Sequence, residues 1–246
     1  MSDGSNEDFQ LYYTRNGLVQ ISGEIRRSIL AELHKGDMTL TDLSRSIGKA
    51  QSTLSVHLDR MVEDGLIAVK DDPNDSRRKV YSIVSVMLAN SKESSEESMH
   101  NAMSMLSKVV HDPEQVSKAL PRFIFMGFDG LGLSFGPMAK LLGAIHAVAL
   151  DGSLTSKTIE DTVSNARSYF GKIGLGEVTI FSLKPMTIII KDDEPFTEGI
   201  AQTIGGYAIG FFCKILEDAT GNQYDVVSSE IFGSESNYFK FTVEPK

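Results

Sequence analysis

The sequence predicts an α+β protein in two parts, and three observations carry that reading. Residues 23–65 contain three runs of apolar side chains at helical spacing, each ended by a glycine. Two segments rich in β-branched residues, Leu66–Val69 and Val80–Val84, flank a stretch of turn formers and cations, which is the pattern of a hairpin. Residues 116–246 then combine long apolar helical runs with two further pairs of strand-like segments. The 246 residues accordingly divide into an N-terminal extension over 1–22, a helical domain closed by a hairpin over 23–88, a linker helix over 89–115 and an α+β domain over 116–246, whose antiparallel sheet packs against helices.

In the first part, Ile25, Ile29, Leu30 and Leu33 repeat on one side of a helix that carries Arg26, Arg27, Glu32 and Lys35 on the other, and Gly36 ends it. Thr39 and Asp42 offer caps for a short second helix holding Leu43 and Ile47, which stops at Gly48. A third helix starts near Gln51, with Leu54, Leu58, Met61 and Val62 on one face and Ser52, Thr53, Val56, Asp59 and Arg60 on the other. The hairpin after Gly65 turns at Pro73, Asn74 and Asp75 and presents Arg77, Arg78 and Lys79 on its return limb. Helix, short helix, turn, helix and hairpin form a winged helix-turn-helix, whose last helix enters a major groove while the wing meets the flanking backbone.

The charge distribution bears on that expectation. The whole chain stands at −9, the wrong sign for a protein that coats nucleic acid indiscriminately. Residues 23–90, however, hold ten basic and ten acidic side chains, and the acidity lies outside them: residues 91–246 carry 13 basic against 20 acidic. A neutral domain with its cations gathered on one wing is compatible with site-specific binding to double-stranded DNA. The single cysteine, Cys213, excludes an internal disulfide and a multi-thiolate metal site. The start MSDGSNEDFQ lacks the basic and apolar regions of an export signal, and the most apolar stretch, Gly199–Cys213, holds Gln202, Thr203 and several glycines. The expectation is a cytoplasmic protein with no membrane partner.

Candidate DNA contacts follow from residue type and place. Gln51, Ser52, Thr53 and Ser55 are short polar groups at the start of the third helix, suited to phosphates or base edges, or to capping alone. Lys49 and Arg60 fit phosphate contacts or exposed solvating charges. His57, at the margin of the apolar face, fits a packed histidine as well as a DNA contact. Arg77, Arg78 and Lys79 are the strongest group, because three adjacent cations repel one another until a polyanion relieves them. Tyr81 is expected in the core.

Lys49 to Ile67, read as K-A-Q-S-T-L-S-V-H-L-D-R-M-V-E-D-G-L-I, resembles the recognition helix and strand entry of arsenic-repressor-type (ArsR) regulators, and Asp72-Pro-Asn-Asp-Ser-Arg-Arg78 resembles the wing of MarR-type regulators. The resemblance covers residues 23–84 and implies a DNA-binding transcription regulator. Metal-sensing ArsR members place cysteines near the second and third helices, and none occurs here.

Between the two parts, Ala89–His100 is rich in Ser and Glu, after which Met103, Leu106, Val109 and Val110 return at helical spacing. This predicts an amphipathic linker helix that also contributes to a homodimer seam. Residues 121–136 alternate bulky apolar groups with glycines, but Gly130-x-Gly132-x-x-x-Gly136 has the wrong spacing for a dinucleotide fingerprint. Helices are expected over Met138–Leu150, Ser156–Gly171 and Phe196–Asp218, with hairpins formed by Glu177–Leu183 with Met186–Lys191 and by Gln223–Ser229 with Asn237–Val243.

Gly205-Gly-Tyr-Ala-Ile-Gly-Phe-Phe212, Asp225–Glu230 and Tyr238–Val243 resemble the 4-vinyl reductase domain across residues 121–245. That resemblance implies a small-molecule binding module with an apolar chamber, used in several members as the effector domain of a regulator. Some members hold zinc near the C-terminal end. Here Glu230 persists, while Ile231, Gly233 and Phe239 stand where thiolates are expected, so no metal or other cofactor is expected.

No catalytic residues are assigned, since the five histidines are scattered singly and no nucleophile motif occurs. Glu230 fits a ligand anchor or an ordinary strand carboxylate, and Cys213 fits a buried small hydrophobe. Phe123, Phe125, Phe128, Phe170, Tyr207, Phe211 and Phe212 fit either core positions or the lining of an effector cavity. The function expected is a homodimeric transcription regulator in which a small, apolar effector changes the spacing of two recognition helices. The alternative is a protein-interaction or assembly subunit, and an enzyme acting on a tetrapyrrole-like vinyl group is suggested by the family's name alone.

Overall fold

The computed structural model describes residues 8–72, 75–192, 197–233 and 237–246, apart from the side chains of Ser76 and Arg77. The chain forms two units, Met1–Ser91 and Lys92–Lys246.

The described part of the first unit opens with an antiparallel hairpin, β1 (Phe9–Thr14) and β2 (Gly17–Ser22). Thr14 makes the turn, donating from Oγ1 to the Gly17 carbonyl at 3.1 Å and accepting from the Asn16 amide at 3.1 Å, while Gly17 takes φ 107°. The described part of the expected N-terminal extension is thus a hairpin, and Tyr12 and Ile21 project from it into the core. Helix α1 (Glu24–Leu33) buries Ile29, Leu30 and Leu33, the spacing that predicts it.

Strand β3 (Met38–Thr39) leads into α2 (Leu40–Ile47) through a capping box: Thr39 Oγ1 accepts the Asp42 amide at 3.3 Å and the Asp42 carboxylate accepts the Thr39 amide at 3.4 Å. Gly48, at φ 71°, ends the helix in the left-handed region. Helix α3 (Gln51–Glu63) follows, then β4 (Ile67–Asp72), β5 (Asp75–Ile83) and β6 (Val86–Ser91). Strands β3, β5 and β4 form one antiparallel sheet in the order β3-β5-β4, and β6 pairs with β1 on the side opposite β2. The hairpin strands run farther into residues 70–79 than the sequence predicts, because Lys70 and Asp71 pair with Val80 and Lys79. One core joins Tyr12, Ile21, Leu30, Leu43, Leu54, Leu58, Met61 and Tyr81.

In the second unit, α4 (Glu96–Val109) starts at Ser95, whose hydroxyl accepts the Ser98 amide at 3.1 Å, and α5 (Pro113–Gly130) starts at Asp112 with proline in its first turn. Ala102 and Met105 of α4 belong to this unit's core, so the segment expected as a linker contributes to packing. The glycine-containing run from residue 121 is helical through Gly130 and follows no strand, which removes the setting a dinucleotide loop needs. After β7 (Leu133–Ser134) come α6 (Gly136–Ala149) and α7 (Ile159–Lys172). Strands β8 (Glu177–Leu183), β9 (Met186–Lys191), β10 (Tyr224–Phe232) and β11 (Tyr238–Pro245) form an antiparallel sheet in the order β10-β11-β9-β8.

Helix α8 (Glu198–Thr220) lies at the centre of this core, burying Ile204, Ala208, Phe211, Phe212 and Leu216. The first residue of the expected helix, Phe196, lies outside the described residues. The glycines of α8 are explained by what lies against them. A Cβ on Gly210 would stand 1.8 Å from the Lys140 carbonyl oxygen of α6, and one on Gly143 of α6 would stand 1.9 Å from the Tyr207 carbonyl oxygen. On the sheet side, a Cβ on Gly205 would meet the Phe239 ring at 2.4 Å. The two helix backbones thus touch directly, an approach that side chains would prevent. Among the described residues α8 is long and apolar enough to cross a membrane, and most of that length is buried in the unit.

Two buried carboxylates of this unit are paired. Asp129, 3% exposed, accepts from Ser98 Oγ at 2.6 Å and Thr197 Oγ1 at 3.1 Å and forms an ion pair with Lys92, while Asp192 is ion-paired with Arg122. The unit is α+β, as the sequence predicts.

Candidate nucleic-acid interface

Helix α3 is held from three sides. Leu54, Leu58 and Met61 anchor its buried face, Ser44 of α2 donates to the Lys49 carbonyl at 2.7 Å in the turn before it, and Asn16 Nδ2 donates to the Glu63 carbonyl at 3.0 Å at its far end. The β1–β2 turn thus satisfies one of the last carbonyls of α3, a group that helix geometry leaves unpaired. Gly65 permits this approach, since a Cβ there would lie 3.3 Å from both Arg15 Cγ and Asn16 Nδ2. Sequence reasoning missed the hairpin, although Asn16-Gly17 between two strand-like runs is a strong turn signal.

The opposite face of α3 is open. Gln51, Ser52, Thr53, Asp59 and Arg60 are exposed, as is Lys49 before the helix, whereas Ser55 and His57 are half-buried at the edge of the face. Val56 is 69% exposed in the middle of this face. An apolar side chain there suits contact with a thymine methyl group. Its neighbour Asp59 works against phosphate and also raises the Tyr81 hydroxyl's pKa, a shift caused first by burial.

On the wing, Arg78 and Lys79 are exposed on β5. The backbone of Arg77 lies in the same strand, and its side chain lies outside the described residues, as do Pro73 and Asn74 at the turn. Arg78 is close enough to α2 to add to the depression of the Asp42 pKa, which comes first from the Thr39 hydrogen bonds and then from Arg45. Arg45 escapes a reading of the sequence, yet its guanidinium is largely exposed, 3.8 Å from Asp42. The structure therefore places the start of α3 and Arg60 on one helix, with Lys49 in the turn before it and the wing cations on a separate strand. An α-helix with an open polar face beside a basic hairpin can enter a major groove while the hairpin follows the backbone.

Residues 23–69 match the family model of the bacterial regulatory protein, arsR family. This segment is similar to an arsR-type helix-turn-helix. The match runs from before α1 into β4 and takes in the whole of α3. No curated relative matches the chain. The match supports a DNA-binding transcription regulator and does not extend into the second unit.

In that unit, Phe170, Phe211 and Phe212 are fully buried, Phe123 and Phe125 pack partly buried against the core, and Phe128 lies at the surface with its ring centroid 4.4 Å from that of Phe135. Tyr207 is half-buried and reaches a cleft together with His146. Cys213 is buried in α8, and burial pushes its thiol up to about 11. Glu230 is an exposed strand carboxylate, 2.6 Å from Lys240. Among the described residues no three His, Cys, Asp or Glu side chains are grouped to hold a metal ion.

Proposed function

We propose that the chain is a cytoplasmic, homodimeric transcription regulator whose arsR-type unit binds an operator and whose second unit responds to a small, largely apolar effector. The carrying observation is the open polar face of α3, anchored at both ends and flanked by the basic wing. A second copy is supported by apolar side chains left exposed at helical spacing, Leu120, Ile124 and Phe128 on α5 and Leu141, Ile145 and Val148 on α6. Two copies double a small basic footprint, which reconciles specific binding with an acidic chain. In this reading the protein is a binder and carries out no reaction. An effector shifts DNA affinity only if it binds the two dimer arrangements unequally.

The test is a gel shift on the region upstream of the protein's own gene at several salt concentrations. A sequence-selective shift supports the reading; its absence, with and without small-molecule extracts, sinks it. The second reading, a protein-interaction module, is favoured by Val56 and Asp59 at the centre of the α3 face. It requires that loss of the wing cations leave the partner bound.

A further inference from the structure

Within the second unit a cleft of about 390 Å³ opens among α5, α6, α8 and the end of α7. Pro121 and Ile173 belong to its apolar wall, and its polar groups include Lys118, Lys172, His146 and Tyr207. The wall is fixed by a close approach of α5 to the turn after α7, where Gly174 sits at φ 76° and a Cβ would stand 2.6 Å from the Lys118 carbonyl oxygen. The volume lies in the range of sites for small organic molecules.

The polar end has an unusual proton arrangement. His146 meets a tyrosine hydroxyl at each ring nitrogen, Tyr207 at Nδ1 and Tyr169 at Nε2, the latter at 2.8 Å. A neutral imidazole has one N–H and one lone pair, so one tyrosine donates to the ring and the other accepts from it. The accepting hydroxyl keeps its own proton for a third group. When Nδ1 carries the hydrogen, that hydroxyl is Tyr207, which lines the cleft. Burial holds the His146 pKa below its ordinary value and pushes the Tyr207 hydroxyl up to about 12, so both groups are neutral at physiological pH.

The charged residues that line the cleft are Lys118, Lys172 and Glu114, two cations against one anion. Glu114 at the rim is 2.8 Å from Lys118 and balances it, whereas Lys172 has no ion-pair partner among the described residues. This cation stands in the acidic part of the chain, where residues 91–246 carry 13 basic against 20 acidic side chains.

We propose that the cleft binds a small, largely apolar monocarboxylate, its hydrocarbon part against Pro121 and Ile173, one carboxylate oxygen accepting the Tyr207 hydroxyl and Lys172 supplying the countercharge. Binding selects the His146 tautomer with hydrogen on Nδ1, so that Tyr169 donates to Nε2. This deepens the effector-sensing reading, because it names the chemical class that the second unit takes.

The experiment is calorimetric titration of the full-length protein, without DNA, with phenylacetate, 4-methylpentanoate and octanoate, and with the matching neutral amides. At least one acid binds, and its amide binds ten-fold or more weakly. Tyr207→Phe weakens the acid roughly ten-fold, as expected for loss of one hydrogen bond to a charged group, and Lys172→Met weakens the acid without affecting the amide. Lys214→Met, on α8 and engaged with Asp218, changes neither. Nitrogen-15 shifts of His146 report a move to the Nδ1–H tautomer on saturation, which a purely structural histidine does not show. Failure of all three acids to bind at millimolar concentration, or equal affinity for acid and amide, overturns the proposal. The regulator reading is scored separately by the gel shift, so either can fail while the other stands.

Discussion

Asn16 donates from its side-chain amide to the carbonyl of Glu63 at 3.0 Å, tying the tip of the N-terminal hairpin to the last turn of α3. Removing that donor leaves a helix-end carbonyl to water alone. Asn16→Ala should destabilise the first unit by about 1 kcal/mol, the usual net worth of one such bond, and weaken DNA binding more than it alters the salt slope. Urea unfolding followed with a gel shift at two salt concentrations checks both.

The wing cations make the opposite kind of contribution. Arg78 and Lys79 are exposed on β5, and each phosphate contact contributes about 0.9 to the slope of log affinity against log salt. Replacing both with alanine should make the slope shallower by about 2 per copy, with affinity lost evenly across sequences. A slope unchanged within error would remove the wing from the interface.

Glycines in the second unit separate into two classes. Gly210→Ala places a methyl group 1.8 Å from a backbone oxygen of α6 and should cost roughly 3 kcal/mol or prevent folding, as severe overpacking does. Gly127, inside α5, has nothing within 4 Å of the position a Cβ would take, so Gly127→Ala should stabilise by about 0.5–1 kcal/mol through helix propensity. Thermal unfolding of the two variants should therefore shift in opposite directions.

The His146 imidazole has a pKa depressed by burial. A depressed folded-state value means that the unfolded chain takes up the proton first as pH falls. The associated stability is complete above the unfolded value of about 6.5 and is lost below it. Stability of the wild type should thus fall more steeply between pH 7 and 5 than that of His146→Gln. Parallel denaturant titrations at those two pH values decide the point, and equal slopes refute it.

The three helices of the first unit are legible in the sequence because their information is local: apolar spacing, the Thr39–Asp42 capping box and Gly48 are enough to place them. The exposed face of α3 follows from the same period. The helical state of residues 121–130 is obscured by Gly127 and Gly130, and the neighbour that crowds Gly130 is Met99, 3.1 Å from its would-be Cβ, on another helix. The cleft is not legible for a related reason. Lys118, His146, Lys172 and Tyr207 come from four helices, and His146 looks solitary in the sequence because its partners Tyr169 and Tyr207 are neighbours only after folding.

The residues that match the arsR family do not take in the whole core that they help to build. Tyr12 and Ile21 precede residue 23 and Tyr81 follows residue 69, yet all three are buried with side chains of α1 and α3 in a single cluster. The segment that matches the family is therefore smaller than the compact unit that contains it. A fragment trimmed to residues 23–69 would expose the apolar sides of its helices and self-associate, whereas one ending at Ser91, where β6 lies against β1, keeps its interior closed.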